Sequence, residues 1–201
     1  MTDTVLVLSA GVATPSSSQL LGEQLGAATK RLLAAAERPV EVAHVELRTL
    51  ANDLAHGLTT SVASPELSQV FGELGRAVGV IAVTPVFNAS YSGLFKLFFD
   101  LLDEGSMAGR PVLLAATGGT ARHSLVIDTA MLPMMYYLKA AVAPTGVFAA
   151  TADWGDPSGR LAARIEAAAR DFAQLVAERP GAPVPAEFGD GIDFADLLRG
   201  S

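Results

Sequence analysis

Val80-Ile81-Ala82-Val83-Thr84-Pro85-Val86-Phe87-Asn88-Ala89-Ser90-Tyr91-Ser92-Gly93-Leu94-Phe95-Lys96-Leu97-Phe98-Phe99-Asp100-Leu101-Leu102 joins two patterns of hydrophobicity in one stretch. Its first residues are β-branched and apolar without alternation, the mark of a strand buried on both faces, and its last dozen place apolar residues at helical spacing. Pro85 fixes its own φ and biases Thr84 towards an extended conformation. The spacing therefore predicts a strand over Gly79–Val83 that ends at Thr84. A polar turn follows, in which Asn88, Ala89, Ser90 and Ser92 open a helix with free backbone N–H groups. In an open parallel sheet, the carboxyl end of such a strand is where ligands sit.

The same alternation of strand and helix extends outward in both directions. Val5–Leu8 reads as a first strand, Leu20–Ala36 as a helix and Val40–Val45 as a second strand, giving a β-α-β unit. Leu47–Ser64 is mixed in character and reads as a loop with a short helical piece, and Pro65–Arg76 as an amphipathic helix. Val112–Ala116 is a fourth strand, Thr145–Ala149 a fifth, and Leu161–Ala177 the closing helix. Between the last two strands, His123–Ala141 is apolar on nearly every side. It is either a core helix or a face shared by two subunits, and we expect a subunit interface with Pro133 loosening the helix. Residues 1–180 form one domain in this reading. Residues 181–201 form a tail whose apolar patch, Phe188–Leu198, docks on the same or another subunit.

Composition narrows the classes of function. Half of the 201 residues are hydrophobic and 17% are charged, which fits a packed domain. Acidic residues outnumber basic ones by 21 to 14, for a net charge of −7, which argues against nucleic acid and anionic membranes as partners. With no cysteine, disulfides, thiolate nucleophiles and cysteine metal sites are excluded. His44, His56 and His123 fall in dissimilar segments, so no metal is expected. No run is long and apolar enough to cross a bilayer, and an acidic residue precedes the first apolar run, so a cytoplasmic protein is expected.

Two further loops join the opening stretch at the same sheet edge. Ser9-Ala10-Gly11-Val12-Ala13-Thr14-Pro15-Ser16-Ser17-Ser18-Gln19 lies between a strand and a helix N-terminus, as a phosphate site or as a plain serine cap. It matches neither the dinucleotide glycine fingerprint nor the Walker pattern. Thr117-Gly118-Gly119-Thr120 ends the fourth strand, where paired glycines let backbone approach a flat ligand. Right-handed connections bring all three loops to one edge. The expected fold is α/β, a flavodoxin-like doubly wound parallel sheet of five strands in the order 2-1-3-4-5.

Thr84-Pro85-Val86-Phe87-Asn88-Ala89-Ser90-Tyr91-Ser92-Gly93-Leu94-Phe95-Lys96 resembles the T-P-x-Y-x-x-x-Y-S-G-x-x-K signature of NAD(P)H-dependent FMN reductases. Ala116-Thr117-Gly118-Gly119-Thr120-Ala121-Arg122-His123 is similar to the A-T-G-G-x-x-x-H segment of the branch that supplies reduced flavin to two-component monooxygenases. The resemblance implies that Ser9, Ser16, Ser17, Ser18 and Gln19 hold the FMN phosphate. It implies that Pro85, Val86, Phe87, Asn88 and Ser90 border the ribityl chain and ring, and that Thr117, Gly118 and Gly119 meet the ring's polar edge. It further implies FMN and NAD(P)H as cofactors, a partner monooxygenase, and a homodimer or tetramer through the 123–141 helix. Apart from the resemblance, the position of Arg122 beside the glycine turn leads us to expect that it contacts a phosphate of the nicotinamide nucleotide.

Three features depart from the pattern. Phe87 stands where many members have Tyr, Thr129 where some flavin donors carry an aromatic, and the first loop contains no arginine. The last departure favours modest, exchangeable flavin binding. No catalytic acid, base or nucleophile is expected, because hydride transfer between two stacked rings asks the protein for position and charge stabilisation. Three other readings remain beside the flavin donor: a quinone- or azo-type reductase that retains FMN, a flavodoxin-like electron carrier without NAD(P)H activity, and a structural or sensory protein that has lost flavin binding.

Overall fold

The computed structural model describes residues 2–179. The tail proposed to dock, Phe188–Leu198 included, lies outside the described residues. Strands β1 (Asp3–Ser9), β2 (Val40–Glu46), β3 (Gly79–Phe87) and β5 (Pro111–Gly118) form a parallel sheet with β1 between β2 and β3, and β5 on the far side of β3. The outer edge beyond β5 is one line in two pieces. β6 (Ala141–Val142) pairs with Pro111 and Val112, and β7 (Val147–Ala150) pairs with Ala115–Gly118. Pro144 lies between the pieces and has no N–H to donate, which accounts for the interruption. The principal order is the expected flavodoxin-like one; the seven-stranded sheet differs from the expected five by this split and by β4 (Ser90–Tyr91), an antiparallel partner of β3.

Alternation along each strand divides the core in two. Val5 and Val7 of β1 and Ile81 and Val83 of β3 face helices α1 (Ser17–Ala35) and α6 (Arg160–Glu178). Leu6, Leu8, Val80 and Ala82 face α2 (Ala51–Thr60), α3 (Pro65–Arg76), α4 (Gly93–Asp100) and α5 (Leu132–Tyr137). Both faces are covered, so the strands read as continuous apolar runs.

Four local expectations are corrected. The first helix begins at Ser17, because Ser16 caps it, so Ser17, Ser18 and Gln19 occupy its first turn. Residues 47–60 are helical almost throughout, a 3₁₀ turn at Leu47–Leu50 running into α2, because Leu47, Leu50 and Leu54 reach the core at helical spacing. β3 does not stop at Thr84. It continues through Pro85, whose neighbour across the sheet is Thr117, and turns back as a hairpin. The segment 123–141 is not one helix: a 3₁₀ turn at Ala121–His123 is followed by a π-helical stretch at Ile127–Met131, and α5 starts beside Pro133. The missing N–H of Pro133 accounts for the loosened ladder ahead of it.

Candidate functional site

The carboxyl ends of β1, β3 and β5 lie side by side, with Ser9 paired to Val83 and Pro85 to Thr117. Each end leads into a different backbone device. After β1, Ala10 N–H donates to the Val83 carbonyl at 2.9 Å, and the chain loops to Ser16, whose hydroxyl accepts from Gln19 N at 3.2 Å. The cap requires a glycine beneath it: a Cβ on Gly11 would stand 1.9 Å from Ser16 Oγ. The N–H groups of Ser17 and Ser18 find no acceptor among the described residues, and they sit at the positive end of a helix of 19 residues. Ser17 is exposed, Gln19 half-buried, and Ser9, Ser16 and Ser18 are buried.

Ser18 is engaged by protein. Its hydroxyl is 2.8 Å from Thr117 Oγ1 at the end of β5, so the serine loop and the glycine turn are fastened directly together. Between them lies a second fastening. Thr84 Oγ1 accepts from Ser92 N at 3.0 Å, and Ser92 Oγ donates to the Ala10 carbonyl at 3.4 Å while accepting from Phe95 N as the cap of α4. Thr84 and Ser92 thus work as the joint between β1, β3 and α4. The hairpin between them is what brings residues eight positions apart into contact.

The hairpin presents the opening stretch to the edge. Val86 pairs with Tyr91 and Phe87 with Ser90. The two turn residues, Asn88 and Ala89, have φ of 48° and 66°, as a tight hairpin turn requires. Asn tolerates that region, whereas Ala89 carries strain of about 1–2 kcal/mol. Phe87 is 45% exposed, a flat apolar face in solvent at the rim, while Pro85, Val86 and Ser90 are half-buried and Asn88 is exposed.

The two glycines after β5 have different reasons to be glycine. A Cβ on Gly118 would lie 2.9 Å from Phe148 Cζ, so that position is set by packing. A Cβ on Gly119 would meet nothing within 4 Å, and the protein itself does not demand glycine there. Thr117 is buried, and Arg122 and His123 are exposed just beyond the turn. Asp153, past β7, accepts from Ala150 N at 2.7 Å and pairs with Arg164 at 2.7 Å, which fixes the outer strand end.

The structure therefore gathers the serine loop, the hairpin and the glycine turn at one edge, as expected. Lys96 pairs with Asp100, one turn further along α4. Among the described residues no group of His, Asp and Glu is arranged to hold a metal. Arg48, which was not among the candidates, reaches the serine loop from the turn after β2, with Nη1 at 2.5 Å from Thr14 Oγ1. The parallel register of β1 and β2 was the signal that could have found it.

Hydroxyls, unpaired N–H groups and glycines thus meet at the strand ends of a doubly wound sheet, and the fold is that of a flavodoxin-like protein. Residues 4–155 match the family model described as NADPH-dependent FMN reductase, and the chain belongs to that family. It is 36% identical over 178 residues to "FMN reductase (NADPH)" of Pseudomonas aeruginosa, covering 87% of this chain and 93% of that one. It is also 36% identical over 174 residues to "NADH-dependent FMN reductase SfnF" of Pseudomonas fluorescens, covering 85% and 90%. A solved structure of an oxidoreductase from Corynebacterium diphtheriae superposes with a TM-score of 0.85 at 43% identity, covering 88% of this chain and 98% of that one. The chain is thus an oxidoreductase that uses FMN and a reduced nicotinamide nucleotide.

Proposed function

We propose that this chain reduces FMN with NADPH or NADH and passes the reduced flavin to a flavin-dependent monooxygenase in the cytoplasm. One observation carries the reading: three strand ends bring hydroxyls, free N–H groups and an unfilled glycine together. FMN, when bound there, supplies the chemistry by accepting a hydride and carrying it away as reduced flavin. The chain's own residues bind and orient. Ser9, Ser16 and Gln19 shape the phosphate end, where the Ser17 and Ser18 N–H groups and the exposed Ser17 hydroxyl serve as donors. Ser18 positions this turn through Thr117. Pro85, Val86, Phe87, Asn88 and Ser90 form the wall, and Gly118 and Gly119 let backbone approach the ring.

Delivery to a monooxygenase rests on the Ala116–His123 segment, which resembles that of flavin-donating reductases, and on a serine loop with no cation of its own. The two Pseudomonas relatives differ by name in nucleotide, so both are kept here. Steady-state NADPH and NADH oxidation with FMN, FAD and riboflavin tests the proposal. A protein purified without colour, active only with added FMN and weaker with riboflavin, is the expected result. Tightly retained flavin with ping-pong kinetics would instead identify the FMN-retaining reductase. Stable one-electron flavin chemistry without NAD(P)H oxidation would identify the carrier.

The same proposal includes self-association through the segment that precedes and forms α5. Met131 and Met135 are buried within the chain, whereas Leu125, Tyr136 and Tyr137 are exposed, Tyr137 by 85%. Tyr137 lines a groove of about 1020 Å³ whose apolar wall includes Tyr91, Phe99, Leu102, Met134 and Leu138 and whose rim carries Lys96, Asp103, Glu104 and Lys139. A second copy covering this face would remove that apolar surface from water. Tyr137→Glu is expected to shift the protein from oligomer to monomer in sedimentation velocity, and an unchanged oligomer would remove α5 from the interface.

A further inference from the structure

We infer that Arg48 supplies the positive charge for a phosphomonoester held at the serine loop, and that this group is the 5′-phosphate of the flavin. The inference rests on the flavin-site reading above. A phosphomonoester carries between one and two negative charges at neutral pH. Residues 9–19 contain no lysine or arginine to meet it.

Topology brings in the missing charge. β1 and β2 run parallel with Ser9 beside Glu46, so the turn Leu47–Leu50 passes alongside the loop that follows β1. Leu47 and Leu50 are buried and anchor that turn. Arg48 projects from it, with Nε donating to Glu46 Oε2 at 2.6 Å and Nη1 to Thr14 Oγ1 at 2.5 Å. Among the described residues Nη2 has no hydrogen-bond partner, and the side chain remains 33% exposed.

Glu46 holds the guanidinium by its Nε side and Thr14 takes one N–H of Nη1, which leaves Nη2 and the second N–H of Nη1 available to phosphate oxygens. Thr14, the residue that Nη1 touches, stands two positions before the cap Ser16 and three before Ser17, the first of the free N–H groups. Because the partly exposed carboxylate offsets part of the charge, the pair gives attraction without permanent capture. That suits a flavin that must leave. The 2′-phosphate of NADPH has the same chemistry, and contact with the serine loop is what assigns Arg48 to the flavin.

Fluorescence-quenching titrations with FMN and riboflavin test this on the full chain, alongside KM values for NADPH and NADH. Arg48→Gln is expected to weaken FMN binding about tenfold or more, with riboflavin within about twofold and both nucleotides unchanged. Glu46→Gln frees the guanidinium and is expected to tighten FMN a few-fold without affecting riboflavin. It keeps the test decisive if Arg48→Gln does not fold: an FMN affinity unchanged in Glu46→Gln would then overturn the inference. Equal losses for FMN and riboflavin in Arg48→Gln would make the residue a support for the loop and overturn its charge role. A loss confined to NADPH would move the charge to the nucleotide and overturn the flavin assignment. If the unmodified chain binds riboflavin as tightly as FMN, the reading of the serine loop fails instead.

Discussion

Arg110→Met is expected to cost about 3 kcal/mol of stability, seen as a lower urea midpoint at unchanged slope. Arg110, at the entry to β5, is 1% exposed and has no carboxylate partner among the described residues. Its guanidinium donates instead to carbonyls: Nη1 to Ala77, Nη2 to Gly75 and Ser106 at 3.3 Å each, and Nε to Ser106 at 3.3 Å. These close the end of α3 onto the loop that enters β5. Two effects oppose each other. Burial of the charge is unfavourable, and it draws the arginine's pKa below its ordinary value to about 10.

The carbonyls win at neutral pH, because removing the guanidinium strands three buried or part-buried acceptors at about 1–3 kcal/mol for the worst placed. Methionine keeps most of the stem's volume and replaces none of the bonds. Arg110→Lys retains a charge and one or two donors, so an intermediate loss is expected; a loss as small as about 0.5 kcal/mol in Arg110→Met would show that water satisfies the carbonyls. The sign of the pH effect follows from linkage. A basic group with a lowered folded pKa is less protonated in the folded state above about pH 10, so its burial penalty shrinks with rising pH there and is fully present below.

Gly119→Val is expected to leave stability within about 0.5 kcal/mol while weakening FMN binding tenfold or more. The structural argument is the contrast with its neighbour. A side chain at Gly118 runs into Phe148, whereas one at Gly119 enters open space at the strand edge, with no left-handed φ to forbid it. If glycine at 119 serves a ligand, valine will fill the ligand's place and the fold will not notice. Thermal unfolding without FMN and a quenching titration with it separate the two. Unchanged FMN affinity would place the ring elsewhere on the edge.

Much of the architecture was legible because it depends on local patterns. Pro65–Arg76 was bounded correctly: Ser64 caps it, Pro65 opens it, and its buried Leu67, Val70, Phe71 and Leu74 lie on one face. The buried strands were legible as runs without alternation. Misreadings arose where a distant neighbour overrode a local signal. Pro85 ends a strand by its own chemistry, but pairing with β4 and register with Thr117 carry β3 onward. Residues 47–60 looked irregular because Asn52, Asp53, His56 and Gly57 weaken helix propensity, and burial of three leucines outweighs them.

The candidate site divides in the same way. Sequence alone determined which chemical groups stand at each strand end: hydroxyls after β1, a polar turn of Asn88, Ser90 and Ser92 after β3, glycines after β5. Those identities follow from strand-to-helix order and turn chemistry, which are local. Only the tertiary structure decided which hydroxyls are spent on protein and which groups come from elsewhere. Ser18 turns to Thr117, Ser92 to Thr84 and Ala10, and Arg48 crosses from β2 to Thr14. A hydrogen bond between residues 99 positions apart is set by sheet order and register, and neither is written in the stretch of sequence that contains either partner.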